Sequence, residues 1–206
     1  MTVADPKFQA CELVVRGHLT LMVRPIEPSD TDAWVTHVRG ELEHLGAFLG
    51  WPAATTDPSA ARGFITRYAE QQSGRKLLLG AFDGPDLMGG TVLMSHDPLT
   101  GAVELGCWIA AALQGQGVVR HLCLETLRYA REDLLVHRVE WRTASENTRS
   151  RALATRLGFS FEGRLRDAGL HNGHRQHLDL LSLVGPEIDE LLASRSGVAT
   201  SPAPKP

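Results

Sequence analysis

The spacing of apolar residues changes several times along the 206-residue chain. Two short apolar runs near the start predict a pair of strands, and the polar and proline residues after them predict the beginnings of two helices. Three more apolar runs follow, separated by turn sequences rich in Asp, Gly and Pro, which is typical of an antiparallel meander. The predicted strands are 12–16, 19–24, 77–82, 89–95 and 102–110, and the predicted helices are 28–45 and 57–74, the second ending at Gly74.

In the second half of the chain, helical and strand patterns alternate. Apolar residues first recur at helical spacing and then alternate with charged residues, as in a half-buried strand. The predicted elements are helices 119–134 and 147–157 and strands 137–143, 159–165 and 177–184, with a hairpin turn at Asn172-Gly173. The order β-β-α-α-β-β-β-α-β-α-β-β predicts an α+β domain, a mixed sheet with helices on its faces. We expect 1–12 to be an N-terminal segment, 13–185 the domain, and 186–206 a helix end and flexible tail.

The composition narrows the functional class. The hydrophobic fraction of 43% is sufficient for one packed core. A net charge of −3 argues against a nucleic-acid binder. The three cysteines, Cys11, Cys107 and Cys123, are odd in number and widely spaced, which argues against a disulfide framework or a zinc site. No signal peptide and no run of the ~20 apolar residues that span a bilayer is recognisable. We therefore expect a cytoplasmic protein that binds neither nucleic acid nor membrane.

A glycine-rich turn precedes the helix predicted at 119. Gly115 and Gly117 lie between a predicted strand and that helix, and Arg120 follows in its first turn. Glycine lets the backbone approach a ligand, and a helix N-terminus presents N–H groups and a partial positive charge. This arrangement suits a phosphate or pyrophosphate, although a plain structural turn explains the glycines equally well. The loop is neither a Walker A sequence nor a dinucleotide fingerprint.

The loop resembles a family motif, and other stretches agree with it in order and spacing. Gln-Gly-Gln-Gly-Val-Val at 114–119 resembles the pyrophosphate loop of the GNAT N-acetyltransferases, whose pattern is Gln/Arg-x-x-Gly-x-Gly/Ala. The resemblance covers roughly residues 19–184. Within the family, the sequence is most similar to the RimJ and RimL branch, which acetylates ribosomal-protein N-termini. Further matching stretches are 19–33, 102–109, 147–159 and 161–167 with the Asn172-Gly173 turn. Two positions depart from the pattern: Val119 stands where Gly or Ala is usual, and Ala154 where many relatives carry Tyr.

The resemblance implies a fold and a reaction. The fold is a single central, mostly antiparallel sheet with helices on both faces. The reaction transfers an acetyl group from acetyl-coenzyme A, without a metal, to a primary amine in a ternary complex. The favoured acceptor is a protein or peptide N-terminal α-amine. A small-molecule amine and a non-catalytic acyl-coenzyme A sensor remain alternatives. A homodimer is expected by analogy.

The resemblance also implies site residues. Glu104, in an otherwise apolar strand, is the candidate general base through a water, and Ser150 the candidate hydrogen-bond donor to the coenzyme A sulfur. A structural carboxylate on a solvated strand face is the alternative for Glu104, and Asp167 or His171 is then the base. The candidate cofactor-binding residues are Trp108, Ile109, Ala110, Gln114, Gly115, Gln116, Gly117, Val118, Val119, Arg120, Asn147 and Ser150. The candidate acceptor residues are Phe48, Trp51 and His171.

Histidines recur at every third position around the predicted hairpin turn, as His171, His174 and His177. Such spacing invites a metal site. Around an Asn-Gly turn, however, these side chains point to different faces, and no acidic or Cys partner has matching spacing. No metal site is therefore predicted.

Overall fold

The structure is a computed structural model that describes residues 7–15, 19–69, 76–97 and 99–194. The strands in these ranges are β1 (Cys11–Val15), β2 (Leu19–Pro25), β3 (Leu77–Asp83), β4 (Asp86–Asp97), β5 (Ala102–Ile109), β6 (Arg138–Ala144), β7 (Ser160–His171) and β8 (His174–Val184). The helices are α1 (Thr31–Gly40), α2 (Leu42–Gly46), α3 (Trp51–Ala54), α4 (Pro58–Ala69), α5 (Val118–Glu132), α6 (Thr148–Arg156) and α7 (Gly185–Ala193). Short 3₁₀ turns occupy Pro28–Asp30 and Ala111–Leu113.

The eight strands form one sheet in the order β1-β2-β3-β4-β5-β6-β8-β7. Every neighbouring pair is antiparallel except β5 and β6, which run parallel. A parallel pair needs a crossover connection, and α5 supplies it between β5 and β6. The predicted mixed, mostly antiparallel α+β sheet is confirmed.

Helices cover both faces of the sheet. On one face, Leu127 of α5 and Ile188 of α7 pack against Leu105 and Val139 in the largest buried cluster. On the other face, Trp34 of α1 lies in a second cluster of buried side chains that also contains residues of α4, β3 and β4. Each strand is buried where its apolar residues meet one of these layers, as the alternation along the sequence predicts. Strand β5 contributes to both layers, through Leu105 and Trp108. Strand β6 packs on one side only, and its other side carries three charged residues, Arg138, Glu140 and Arg142.

One predicted helix is broken in the structure. The helix predicted at 28–45 is wrong as a continuous element, because α1 ends at Gly40 and α2 begins at Leu42. Glycine is a poor helix former, and the N–H of Glu41 caps α1 by donating to the carbonyl of His37 at 3.0 Å. The carboxylate of Glu41 accepts from the backbone N–H of Ala111 at 3.0 Å, so a distant contact holds the break. The short helix α3 was not predicted.

The strands near the C-terminal end are longer than predicted. Instead of 159–165 and 177–184, β7 and β8 pair up to the predicted Asn172-Gly173 turn, where both residues have positive φ, 48° and 78°. Most of β7 is exposed, so its polar residues resembled a loop in the sequence pattern. Beyond β8, α7 packs on the core through Ile188.

Several predicted features lie outside the described residues. These are the end of the first strand at Arg16, the helix end at Gly74, most of the N-terminal segment and the tail from 195 onward. None of the helices in the described ranges is long and apolar enough to cross a bilayer.

Candidate active site

The sheet opens where β5 and β6 stop pairing. Their register runs through Ala102↔Arg138 and Val103↔Val139 and ends at Glu104↔Glu140. Beyond that pair, both strands border a cleft of about 1680 Å³. The second half of β5, the end of β6, the 111–119 loop, α2 and α6 supply its lining. A gap inside a sheet exposes strand edges, so backbone amides can pair with an extended ligand there.

The loop before α5 owes its shape to two glycines. Gly115 has φ +71° and Gly117 φ +86°, the left-handed region in which a residue with a Cβ costs ~1–2 kcal/mol. A Cβ at Gly115 would meet no atom within 4 Å, so glycine is favoured there by its backbone conformation and not by lack of space. Gly117 is the N-cap of α5, and the first-turn N–H groups of a helix have no acceptor within it. The loop therefore suits a phosphate-bearing ligand.

Most of the predicted loop residues border the cleft. Gln114, Gly115, Gly117, Val118, Val119 and Arg120 line it, whereas Gln116 turns back so that its side-chain amide donates to the carbonyl of Ala112 at 2.9 Å. Val119, where the family pattern has Gly or Ala, packs against the core on its partly buried side. The bulkier residue is thus accommodated by packing.

The end of β5 contributes backbone to the cleft. Trp108 and Ile109 line it and pair on their other edge with Gly90 and Gly89 of β4. The Ala110 N–H donates to the carbonyl of Met88 at 2.8 Å, so this N–H is not available to bind the cofactor. The Trp108 ring is buried in the aromatic cluster, as predicted for its side chain.

Asn147 and Ser150 lie at the start of α6. The side-chain oxygen of Asn147 accepts from the backbone N–H of Ser150 at 3.1 Å, so Asn147 is the N-cap of α6. The indole N–H of Trp141, on β6, donates to the hydroxyl oxygen of Ser150 at 2.9 Å. All three side chains border the cleft. Trp141 is not among the site residues that the sequence analysis predicted.

Glu104 lies at the point where the two strands part. Its carboxylate is 26% exposed and lies 3.9 Å from the guanidinium of Arg142. Burial raises the pKa of Glu104 above its usual 4.5, the Arg142 charge opposes the rise, and Glu140 adds to it. Glu104 does not itself line the cleft, but its neighbours Leu105 and Arg142 do. A half-buried carboxylate with a raised pKa next to such residues is a candidate general base.

A chain of side chains crosses the cleft entrance, and the sequence analysis missed it. Arg149 of α6 donates to the amide oxygen of Gln114 at 2.5 Å, and the amide nitrogen of Gln114 donates to Nε2 of His44 at 2.9 Å. Nε2 of His44 therefore accepts, and its 3.2 Å approach to the carbonyl of Ile109 is a contact rather than a hydrogen bond. This carbonyl keeps its acceptor capacity toward the cleft. No local sequence signal marks partners 70 positions apart.

The acceptor residues predicted from the sequence occupy different places. Phe48 is 41% exposed and lines the cleft. Trp51 instead packs against Trp34, with ring centroids 5.1 Å apart, and does not line it. His171, at the end of β7, donates from Nε2 to the carbonyl of Gly46 at 2.9 Å and ties the hairpin to α2. It supports the cleft wall rather than lining it.

Asp167, the alternative base, lies in an irregular part of β7. Its φ is +52°, its side chain is 68% exposed, and its carboxylate is 3.1 Å from Nδ1 of His177. It does not line the cleft. Across residues 7–15, 19–69, 76–97 and 99–194, no three His, Cys, Asp or Glu side chains form a group that could hold a metal ion. The three hairpin histidines thus form no metal cluster.

Comparisons with known proteins agree with this geometry. The family model for the acetyltransferase (GNAT) domain matches residues 20–160. The chain belongs to the GNAT acetyltransferase family. A curated relative from Bacillus subtilis (strain 168), named "Putative ribosomal N-acetyltransferase YdaF", is 30% identical over 178 residues, covering 84% of this chain and 94% of the relative.

Solved GNAT structures share the fold. A RimL ribosomal L7/L12 alpha-N-protein acetyltransferase in complex with coenzyme A superposes with a TM-score of 0.76 at 23% identity, covering 84% of this chain and 97% of that one. Mycobacterium smegmatis RimJ gives a TM-score of 0.77 at 20% identity, covering 90% and 93%. The predicted resemblance to GNAT enzymes is confirmed. The protein is an N-acetyltransferase of this family, and its donor is acetyl-coenzyme A.

Proposed function

We propose that this enzyme acetylates the N-terminal α-amine of a protein or peptide, with ribosomal proteins as the first class of acceptor. The observation that carries the proposal is the named ribosomal N-acetyltransferase from Bacillus subtilis, which aligns over 94% of its own length. The proposed site uses residues on both sides of the β5–β6 opening, so donor and acceptor meet in one ternary complex.

The cleft is large enough to hold both coenzyme A and an acceptor. Its volume of about 1680 Å³ exceeds the ~300–1,000 Å³ of most small-molecule sites. Coenzyme A occupies one end, between the 114–119 loop and α6. Space remains toward α2, where the half-exposed ring of Phe48 offers an apolar surface for the first residues of an acceptor chain.

Glu104 is the proposed general base. An α-amine is mostly protonated at neutral pH and attacks a thioester only after losing a proton. A carboxylate whose pKa is raised by burial accepts that proton more readily than an ordinary glutamate does. Because Glu104 does not line the cleft and lies one residue before Leu105, which does, we place a water between its carboxylate and the amine.

Ser150 and the end of β5 are proposed to act on the thioester. When the amine attacks, negative charge develops on the carbonyl oxygen, and a backbone N–H at 108–109 stabilises it, since the Ala110 N–H is bonded to Met88. The bond from carbonyl carbon to sulfur then breaks and its electron pair moves to sulfur. The hydroxyl of Ser150 donates a hydrogen bond to that sulfur, and the 114–120 loop holds the phosphates of the leaving group.

Thiol release tests the proposal. The purified protein is incubated with acetyl-coenzyme A and panels of N-terminal peptides and small amines, and the free thiol is followed over time. Release with Ser- or Ala-starting peptides is the expected result. Release only with amino acids, polyamines or antibiotics would move the acceptor to small molecules. Binding of acetyl-coenzyme A without release on any amine would favour the sensor alternative.

We also propose a cytoplasmic homodimer. The outermost strand, β7, carries exposed apolar side chains at Phe161 (58% exposed) and Leu170 (67%). Exposed edge strands with apolar residues are frequent association surfaces. Sedimentation analysis should give twice the monomer mass, and Phe161→Asp should give the monomer. A monomeric wild-type protein would overturn the proposal.

A further inference from the structure

Trp141 occupies the apex of the opening between β5 and β6. It follows Glu140, the last residue of β6 that pairs with β5. Its ring is 2% exposed and packs edge-on against Phe159, with centroids 5.5 Å apart and planes at 69°. On its other side, the backbone pairs with Leu181 of β8. The position and orientation of the indole are therefore defined by the core.

The hydrogen bond between Trp141 and Ser150 has only one possible direction. Indole N–H donates and cannot accept, so the Ser150 oxygen is the acceptor of the 2.9 Å bond. The backbone N–H of Ser150 is held separately by the side chain of Asn147. Within the described ranges, the hydroxyl proton of Ser150 has no protein acceptor, so it remains available to the cleft that Ser150 lines.

We infer that Trp141 is a positioning residue that orients and polarises the Ser150 hydroxyl toward the coenzyme A sulfur. The inference rests on the proposed role of Ser150. A donor bound to the hydroxyl oxygen withdraws electron density from it and strengthens the hydrogen bond that the same hydroxyl donates. It also occupies one lone pair, which restricts rotation of the O–H group. Without it, no hydrogen bond of the Ser150 side chain in the described part of the chain fixes the direction in which its O–H group points.

The chemistry requires no further reactant. As the bond from acetyl carbon to sulfur breaks, the electron pair moves to sulfur, and the Ser150 O–H stabilises the charge that develops there. The N–H of Trp141 offsets the charge drawn onto the serine oxygen. The proton lost by the amine leaves through the Glu104 side, and the thiolate takes a proton from solvent after release.

A double-mutant cycle between Trp141→Phe and Ser150→Ala tests the inference. Trp141→Phe keeps an aromatic ring against Phe159, removes the N–H donor and leaves part of the indole volume unfilled, an effect that a packing control must separate. We expect kcat to fall by about five- to tenfold, as for loss of one hydrogen bond, with the KM for acetyl-coenzyme A unchanged. Ser150→Ala should lower kcat at least as much, and the double variant should match Ser150→Ala alone, because both changes remove the same contact.

A packing control separates this role from a structural one. Phe159→Leu loosens the contact with the indole ring and leaves the N–H in place. It should lower the melting temperature and keep kcat. Equal losses of kcat in Phe159→Leu and Trp141→Phe would overturn the inference, as would additive losses in the double variant.

The design also distinguishes this inference from the proposed function. If Ser150→Ala lowers kcat and Trp141→Phe does not, the inference is wrong while the role of Ser150 stands. If Ser150→Ala retains full kcat, the role of Ser150 is wrong and the inference with it. The identity of the acceptor does not enter, because departure of the thiol is common to peptides and small amines, so the cycle is run with whichever acceptor reacts.

Discussion

The donor wall and the acceptor wall of the cleft are built from contacts of different sequence range. The donor wall is formed by the 111–120 loop and the start of α6. There, the cap between Asn147 and Ser150 joins residues that are three positions apart. The acceptor wall is formed by α2, which the β7–β8 hairpin supports. There, His171 donates to the carbonyl of Gly46, 125 positions away. The carboxylate of Glu41 accepts from the N–H of Ala111, 70 positions away. One wall is shaped mainly by local backbone conformation and the other by tertiary contacts. Changes in the two walls should therefore affect different kinetic constants.

The largest effect is expected at Glu104, the last residue of β5 that pairs with β6. Glu104→Gln removes the basic carboxylate but keeps the shape of the side chain. We expect kcat to fall by about 100-fold or more, within the range that general bases contribute. Acetyl-coenzyme A binding, followed by calorimetry, should stay at the wild-type value.

Glu140→Gln is the matched control for this prediction. Glu140 is paired with Glu104 across the strands, but two arginines neutralise it, and their hydrogen bonds lower its pKa. The substitution should leave kcat at high pH close to that of the wild type. A fully active Glu104→Gln enzyme would show that Glu104 is not the base.

The next effect should be confined to the donor wall. Gly117 has φ +86°, so Gly117→Ala strains the loop by ~1–2 kcal/mol, which corresponds to about a tenfold weaker binding of acetyl-coenzyme A. The KM for the acceptor peptide should not change. Gly63→Ala, in the exposed middle of α4 with open space around it, is the control and should leave acetyl-coenzyme A binding intact. Equal losses in the two variants would show that the effect is not specific to the loop.

A smaller effect should be confined to the acceptor wall. His171→Ala removes the bond from the hairpin to α2, and loss of one such bond predicts a roughly fivefold rise in acceptor KM. Acetyl-coenzyme A binding should remain unchanged. His174→Ala, across the same turn and exposed, is the control and should resemble the wild type. A rise in the KM for acetyl-coenzyme A instead would mean that the two walls are not independent.

The same difference in range explains how much of the fold was predictable. The alternation over 137–143 and the helical spacing after Val119 report which face each element buries, so β6 and α5 were found within one or two residues. The break at Gly40 was missed because a contact with Ala111 stabilises it. Most of β7 lacked a signal because an exposed edge strand has no apolar alternation to read.

The candidate site divides in the same way. The glycine turn at Gly115 and Gly117 was predicted from a short stretch because it depends on local backbone conformation, and the structure adds that both residues have positive φ. The Arg149–Gln114–His44 chain and the bond from Trp141 to Ser150 depend on where separate elements meet, which the residue pattern does not specify. Trp51 was assigned to the acceptor groove, yet it packs in the aromatic core, because the unpredicted α3 turns it inward.

The smallest expected effect is a shift in pH dependence. As a base, Glu104 acts only when deprotonated, so kcat/KM should fall as the pH drops through its pKa, which burial holds above 4.5. Arg142 lowers that pKa from 3.9 Å away, so Arg142→Met should move the acid limb of the profile to higher pH. Glu140 raises it, so Glu140→Gln should move the limb to lower pH.

Opposite shifts from neighbouring positions provide a strict test of that assignment. Both substitutions alter charges around the Glu104 carboxylate without replacing it. They should therefore shift the acid limb of the kcat/KM profile only if that limb reports the titration of Glu104. Because Arg142 is 44% exposed, salt should screen its effect, and the gap between wild type and Arg142→Met should narrow as ionic strength rises. Shifts in the same direction, or none, would place the titrating base elsewhere, on the acceptor wall that the sequence predicted least well.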